Sequence, residues 1–378
     1  MKVSLFQLKE DKWFSNETTE NNNCDIYQLI LCFAAKEILK RENIYEIVKQ
    51  KFPGANIAMC STAGEIYKDV VLNETFVAVA FQFDKTTIAS ASINITNYEN
   101  SYKAAEALVK KLPQQGLVNI LVFSDGSKVN GSNLVNGLND SCTKDILITG
   151  GLAGDGASFV STLVGLNEKP VEGNIIAIGF YGDNILVSHG SQGGWEMFGL
   201  EKEVTKSNSN ILYEVDNKNA LDLYKKYLGP DAENLPGSAL LFPLSVIIPG
   251  SSQPVVRTIL SIDETNNSMT FAGDIPVGSK VRFMKGNFDK LTAAASNAAK
   301  HTIHENKKPD FSLLISCVGR KLALGSRIDE EVEAVNELLG SNTTIAGFYS
   351  YGEISPFNEG GRCQLHNQTM TITSFYER

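Results

Sequence analysis

Apolar and polar positions alternate along this chain in a way that changes period several times. Val3-Ser4-Leu5-Phe6 opens as an alternating strand, and the chain then turns polar through Asn21-Asn22-Asn23. Between Asp25 and Lys40, residues Ile26, Leu29, Ile30, Phe33, Ala34 and Ile38 fall near helical spacing and predict an amphipathic helix. A second short helix is predicted over Ile44 to Lys51, stopped by Phe52-Pro53-Gly54, with a strand from Asn56 to Cys60 after it. Thr75 to Phe83 and Thr87 to Thr96 both alternate, and Asp84-Lys85 between them reads as a hairpin turn.

The same order then returns. A helix over Tyr102 to Leu112 precedes a strand from Leu117 to Phe123. A polar glycine-containing loop (Ser124 to Ser132) leads into a helix reaching Leu138 and a strand over Ile146 to Thr149. A second hairpin is expected from Asn174 to Tyr181 and Ile185 to Gly190. Late in the chain come a helix (Phe288 to His304), a strand (Phe311 to Cys317), a helix (Ile328 to Leu339), a strand (Thr343 to Phe348) and a final strand (Gln368 to Phe375). Between these halves, Gly193-Gly194-Trp195 opens a polar bridge that runs to a strand at Ile211 to Val215 and a helix at Ala220 to Leu228. Trp195 sits where a flexible segment closes over a ligand, meets a partner, or simply packs one domain on the other.

The pattern repeats in detail at one place. Ile57-Ala58-Met59-Cys60-Ser61-Thr62-Ala63-Gly64-Glu65-Ile66 returns as Ile345-Ala346-Gly347-Phe348-Tyr349-Ser350-Tyr351-Gly352-Glu353-Ile354. A weaker copy runs from Ile146 through Gly150-Gly151-Leu152-Ala153-Gly154-Asp155-Gly156. Each copy is an apolar strand ending in a polar glycine turn, and strand ends are where α/β proteins hold ligands. The fold class expected is α/β with mixed, α+β-like sheets. Two domains, 1–214 and 215–378, each carry the unit of helix, strand, glycine turn and hairpin.

Composition narrows the setting. With 378 residues, 43% of them hydrophobic, the chain is large enough for substantial cores. A net charge of -9 with no basic stripe argues against nucleic acid as a partner. No apolar run approaches the ~20 residues of a membrane span, and Met1 to Lys9 lacks the layout of a signal peptide. Six cysteines stand singly, without a C-x-x-C pair, which fits reduced thiols and a cytoplasmic protein.

Four stretches then point one way: Cys60 to Ile66, Gly150 to Gly156, Val256-Arg257-Thr258-Ile259 with Met269 to Pro276, and Gly347 to Pro356. Together, and with the Ala220 to Gly229 helix, they resemble the FIST family, an N-terminal FIST domain followed by a FIST-C domain. The resemblance implies a prokaryotic sensory protein that binds a small ligand, an amino acid among the options, and relays its state to a separate signalling protein. It also implies, as an alternative, a haem-based nitric oxide sensor regulating a histidine kinase.

The residues offer chemistry for several readings. In the Gly-Glu turns, Thr62 and Ser350 supply hydroxyls, Gly64, Gly151 and Gly352 give a ligand access to the backbone, and Glu65, Glu353 and Asp155 supply carboxylates. Tyr351 lies in the same turn, and Arg257 is the side chain suited to a ligand carboxylate. The same turns serve structure alone if each Glu caps a local N–H. Cys60, at a strand end, is the nucleophile of a competing thiol-dependent hydrolase reading, though the four histidines are distant in sequence and the matching residue, Phe348, is apolar. His189 is the first candidate for a haem ligand. His301 and His304, three apart, share a helical face suited to a metal or to the helix dipole. The expectation is binding without catalysis, and no resident metal or cofactor.

Overall fold

Leu29–Ala34 reads LILCFA, and every one of its residues is buried. It is a strand, parallel to Asn56–Ser61 and antiparallel to Phe76–Gln82. This corrects the helix expected from Asp25 to Lys40, which shrinks to Lys36–Leu39. A continuous apolar run satisfies helical spacing by default, and six residues covered on both faces are what a central strand requires. The computed structural model describes residues 1–15, 24–235, 237–251 and 253–378. The polar turn at Asn21, Asn22 and Asn23 lies outside the described residues.

Both expected hairpins are also corrected. Phe76–Gln82 pairs with Lys2–Lys9 and Leu29–Ala34, whereas Thr87–Asn94 pairs with Asn174–Tyr181. Asn174–Tyr181 in turn lies in a different sheet from Ile185–Gln192, which pairs with Met370–Glu377. The Asp-containing turns therefore carry the chain around corners between sheets. Alternation marks a strand with two different faces and says nothing about which strand lies beside it.

Three six-stranded sheets result, and they share one plan. Each has a central parallel pair: Leu29–Ala34 with Asn56–Ser61, Leu117–Ser124 with Leu147–Leu152, and Phe311–Cys317 with Thr344–Ser350. Beside each pair, on the side away from the second strand, lie two antiparallel strands in the same order, with Lys12–Ser15 added beyond them in the first sheet. The other side is covered by strands from another unit, one in the first sheet and two in the second and third, where Cys363–His366 and Val70–Leu72 lie outermost. Val164–Leu166 joins Asn56–Ser61, Gly352–Pro356 joins Leu147–Leu152, and Glu65–Tyr67 joins Thr344–Ser350. Exchange of edge strands around a ring leaves that side of each sheet paired rather than open.

The strand-to-turn junctions close the ring. Ala63 N–H donates to Tyr349 O at 2.8 Å, Gly154 N–H to Ser61 O at 2.9 Å, and Tyr351 N–H to Leu152 O at 3.2 Å. Donors and acceptors occupy matching places in the three copies of the repeat, so the units are related by an approximate threefold rotation. The copies at Ile57 to Ile66 and Ile345 to Ile354 are alike, strand then turn then strand. A Cβ on Gly154 would stand 2.9 Å from Ala63 N, so the close approach at this ring requires glycine.

The inner faces of the sheets meet in an aromatic core. Phe33, Phe123 and Phe348, one from each sheet, have ring centroids 4.9 to 5.8 Å apart. Phe81, Phe311, Phe375 and Phe180 continue the cluster. Rings of this size supply much of the apolar area a core needs. Helices cover the outer faces: Ile44–Lys51 over the first sheet, Ser101–Lys110 and Gly131–Ser141 over the second, Phe288–Thr302 and Asp329–Leu339 over the third.

The third unit is interrupted. Between Ile185–Gln192 and Phe288–Thr302 the chain builds a fourth sheet around the helix Ala220–Leu228. Its two edge strands, Val255–Arg257 and Ile259–Asp263, are consecutive in sequence, so the sheet curls towards closure over Leu221, Tyr224, Phe271 and Val281. Trp195 is buried against Met284, Leu291 and Leu324, and its indole N–H donates to Gln368 O at 2.8 Å. It packs the insertion onto the third unit. No helix among the described residues is long and apolar enough to cross a membrane.

Candidate functional site

The turns that follow the central strands converge on a cavity of about 780 Å³. Its wall combines Lys36 with Thr62 to Glu65 from the first unit, Asp155 to Ser158 from the second, and Val318 with Lys321 from the third. Parallel strands place their carboxyl ends, and the loops beyond them, on one side, which is why such ends form sites.

Lys36 lies two residues beyond Leu29–Ala34, and its Nζ is 3.1 Å from Asp155 Oδ2. Asp155 also accepts the backbone N–H groups of Phe159 (2.8 Å), Val160 (3.1 Å) and Ser161 (3.0 Å), and the Tyr351 hydroxyl. Burial pushes its carboxyl up, but the Tyr351 hydroxyl, the backbone donors and Lys36 outweigh that and hold it below its ordinary range. Asp155 is thus an ionised clamp for the backbone of 159–161. Phe159 itself has φ of 54°, an unfavourable value for a bulky residue, and its ring stacks on Tyr351 with centroids 4.4 Å apart.

Glu65 is held from both oxygens. Oε1 accepts the Thr62 hydroxyl, and Oε2 accepts the Thr75 N–H at 3.0 Å and its hydroxyl at 2.6 Å. Burial raises its pKa, against the pull of those donors and of Lys321. Lys321, on the helix Val318–Leu324, crosses to the first unit, where its Nζ donates to Ala63 O at 2.5 Å and to Asn73 Oδ1. Burial lowers its pKa, and Glu65 opposes that. Gly64, at φ of 144°, lies directly beneath this amine, and a side chain there would collide with it.

Of the residues singled out from sequence, Thr62, Gly64, Glu65 and Asp155 line the cavity; the others do not. Cys60 is fully buried in the same core as Phe33 and Phe348, where burial pushes its thiol well up. Burial in that apolar core runs against the competing reading of Cys60 as a nucleophile. Glu353 is buried in a strand opposite Gly151, accepting the Ser350 hydroxyl at 2.7 Å and the Thr369 N–H at 3.2 Å. Gly352 pairs with Leu152, and Tyr351 sits behind the wall as a support for Asp155. Arg257 is buried in the insertion, its guanidinium donating to the carbonyls of Asp274 (3.2 Å), Val256 (3.2 Å) and Leu365 (3.0 Å). Its Nε and Nη1 are committed to backbone and stitch the insertion to Cys363–His366. His189 lies half-buried on Ile185–Gln192 with Nδ1 3.4 Å from Ser355 Oγ. His301 is in the last turn of Phe288–Thr302, while His304 lies beyond its end, so no helical turn holds them together.

The repeated turns therefore share a structural job, a hydroxyl donating to a carboxylate three residues on, and the first copy also faces a cavity. Sequence reasoning missed Lys36 and Lys321. Each follows a central strand closely, which is the one signal that would have found them.

Relatives give the chain its place. Residues 28–218 match the FIST N domain and residues 220–356 the FIST C domain. An uncharacterised protein of Methanocaldococcus jannaschii is 23% identical over 320 residues, spanning 78% of this chain and 61% of that protein. The chain thus spans about three fifths of that relative's length. Among solved structures, a chorismatase aligns with TM-score 0.38 and 9% identity over 100% of this chain and 99% of its own. A cyanuric acid hydrolase from A. caulinodans aligns with TM-score 0.38 and 6% identity over 100% and 98%. The two domain matches together cover most of the sequence, in the family's order, and the chain belongs to the FIST family of sensory signal-transduction domains.

Proposed function

We propose that the cavity at the junction of the three units binds a small carboxylate-bearing polar molecule, an amino acid among them, and that the chain relays its occupancy to a separate signalling protein such as a histidine kinase. One observation carries this reading: two lysines from different units, Lys36 and Lys321, stand in the wall of one cavity of about 780 Å³. Such a volume suits a small ligand. Exposed Glu37 and Glu74 at the rim supply negative charge for an ammonium group.

The relay follows from Asp155. A ligand carboxylate drawn to Lys36 competes with the carboxylate that also orders the backbone of 159–161. Val160 in that loop is 73% exposed, so a change begun in the cavity reaches the surface there. A haem fits this site poorly. The wall carries no imidazole, thiolate or thioether to ligate iron, and His189 does not line it.

Thermal melting against free amino acids and short dicarboxylates tests the reading. A ligand at a hundred times its Kd is expected to stabilise the wild type by about 2.7 kcal/mol. Lys36→Met is expected to abolish that ligand-induced gain, and Glu353→Gln, outside the wall, to keep it. A gain that survives in Lys36→Met would place the ligand elsewhere.

A further inference from the structure

We propose that Lys321 is a carbonyl-capturing amine, and that the ligand is a small 2-oxo acid held by a reversible imine at Lys321 Nζ with its carboxylate against Lys36. The inference rests on the cavity being the ligand site and adds the chemical class of the ligand.

The two lysines of the wall are held differently. Lys36 is ion-paired with Asp155. Lys321 has two neutral oxygens as acceptors, Ala63 O and Asn73 Oδ1, and no ion-pair partner among the described residues. A tetrahedral amine nitrogen bound to its chain and donating to two oxygens has one direction left. In the neutral amine that direction is the lone pair. Burial lowers the pKa of Lys321 against the pull of Glu65, so a larger share of its amine is neutral than in an exposed lysine, and desolvation is how lysines become nucleophiles.

The wall also supplies the proton steps. The Nζ lone pair forms a bond to the carbonyl carbon, the carbonyl oxygen takes up a proton, and the nitrogen releases one, giving a carbinolamine. Protonation of its hydroxyl expels water as the C=N bond forms, and hydrolysis reverses both steps. No oxidant or reductant is consumed. Thr62 lines the same cavity and its hydroxyl is bonded to Glu65, a buried carboxyl suited to holding the proton in transit.

Glyoxylate with sodium cyanoborohydride tests this, because reduction fixes the imine as a stable secondary amine. At neutral pH, with limiting reagent, peptide mapping of the full chain is expected to find Lys321 labelled first and close to one adduct per chain. The adduct should be lost in Lys321→Arg and Lys321→Met. In Lys36→Met, capture of glyoxylate should slow while capture of propionaldehyde, which has no carboxylate, should not. Mapping in the wild type keeps the test valid even if a variant folds poorly. Labelling spread over surface lysines with Lys321 lagging would overturn the proposal. If Lys321 stays unlabelled while amino acids still give a melting gain that needs Lys36, the imine falls and the cavity reading stands. Labelling of Lys321 with no melting gain from any carboxylate would support the amine and count against a non-covalent amino acid sensor.

Discussion

Glu331→Ala is expected to destabilise the protein by about 3–5 kcal/mol, a large share of the stability of a typical domain. Glu331 and Arg320 are both fully buried, and two Arg320 nitrogens donate to Glu331 Oε2 at 2.7 and 3.0 Å. The other oxygen accepts the Tyr349 hydroxyl at 2.7 Å and the Ser316 hydroxyl at 3.1 Å. Arg320 further donates to Leu291 O at 2.9 Å and to Gly193 O. The network thus ties two strands and three helices of the third unit to the start of the insertion. Removing the carboxylate strands a guanidinium and two hydroxyls away from water, and unpaired buried charge is what makes such changes costly. The double variant Arg320→Met with Glu331→Leu is expected to be less destabilised than Glu331→Ala, because an apolar pair leaves no buried charge behind. Urea denaturation of the three proteins measures this. A loss below about 1 kcal/mol in Glu331→Ala, within the range of an exposed pair, would mean that water reaches the site.

The Gly-Glu turns were legible because Thr62 with Glu65 and Ser350 with Glu353 repeat the same residues in the same order, and the structure gives each pair the same hydrogen bond. Their shared role is local, so local sequence carries it. Lys36, Lys321 and Asp155 meet only because three units close a ring, and nothing in the spacing of one unit encodes where the next will stand. The third unit is also split, with the whole insertion placed between Ile185–Gln192 and the rest of its sheet. A strand such as Glu65–Tyr67, which pairs with Thr344–Ser350, leaves no trace of that partner in its own pattern. The central strand Leu29–Ala34 was misread because burial on both faces erases the alternation that identifies a strand. Arg257 had the right chemistry for a carboxylate and the wrong neighbours, three backbone carbonyls that already take its Nε and Nη1 donors.

Glu353→Gln is expected to stabilise the protein at pH 8 and to flatten the dependence of stability on pH. Burial lifts the Glu353 carboxyl to about 8, against the opposing pull of the Ser350 hydroxyl, the Thr369 N–H and Arg320. In the unfolded chain a glutamate titrates near pH 4.3. The folded state therefore binds the proton more tightly, and the stability linked to it is fully present below about pH 4. Between there and pH 8 the unfolded chain has released a proton that the folded one retains, so stability falls by about 1.4 kcal/mol per pH unit. Above about pH 8 both states are ionised and the loss is complete. Glutamine is neutral throughout and keeps both contacts, its carbonyl accepting from Thr369 N–H and its amide donating to the Ser350 oxygen. Guanidinium denaturation at pH 5, 6.5 and 8 should show the variant gaining on the wild type at each step and exceeding it at pH 8. A difference that stays constant across those three values would mean that Glu353 is ionised in the folded protein at pH 5 already. The position gives the result weight beyond one residue. Glu353 lies in the strand that the third unit lends to the second sheet, directly opposite Gly151, and Tyr351, two residues earlier, supports Asp155. Deprotonation of Glu353 therefore puts a buried charge at the seam between the second and third units.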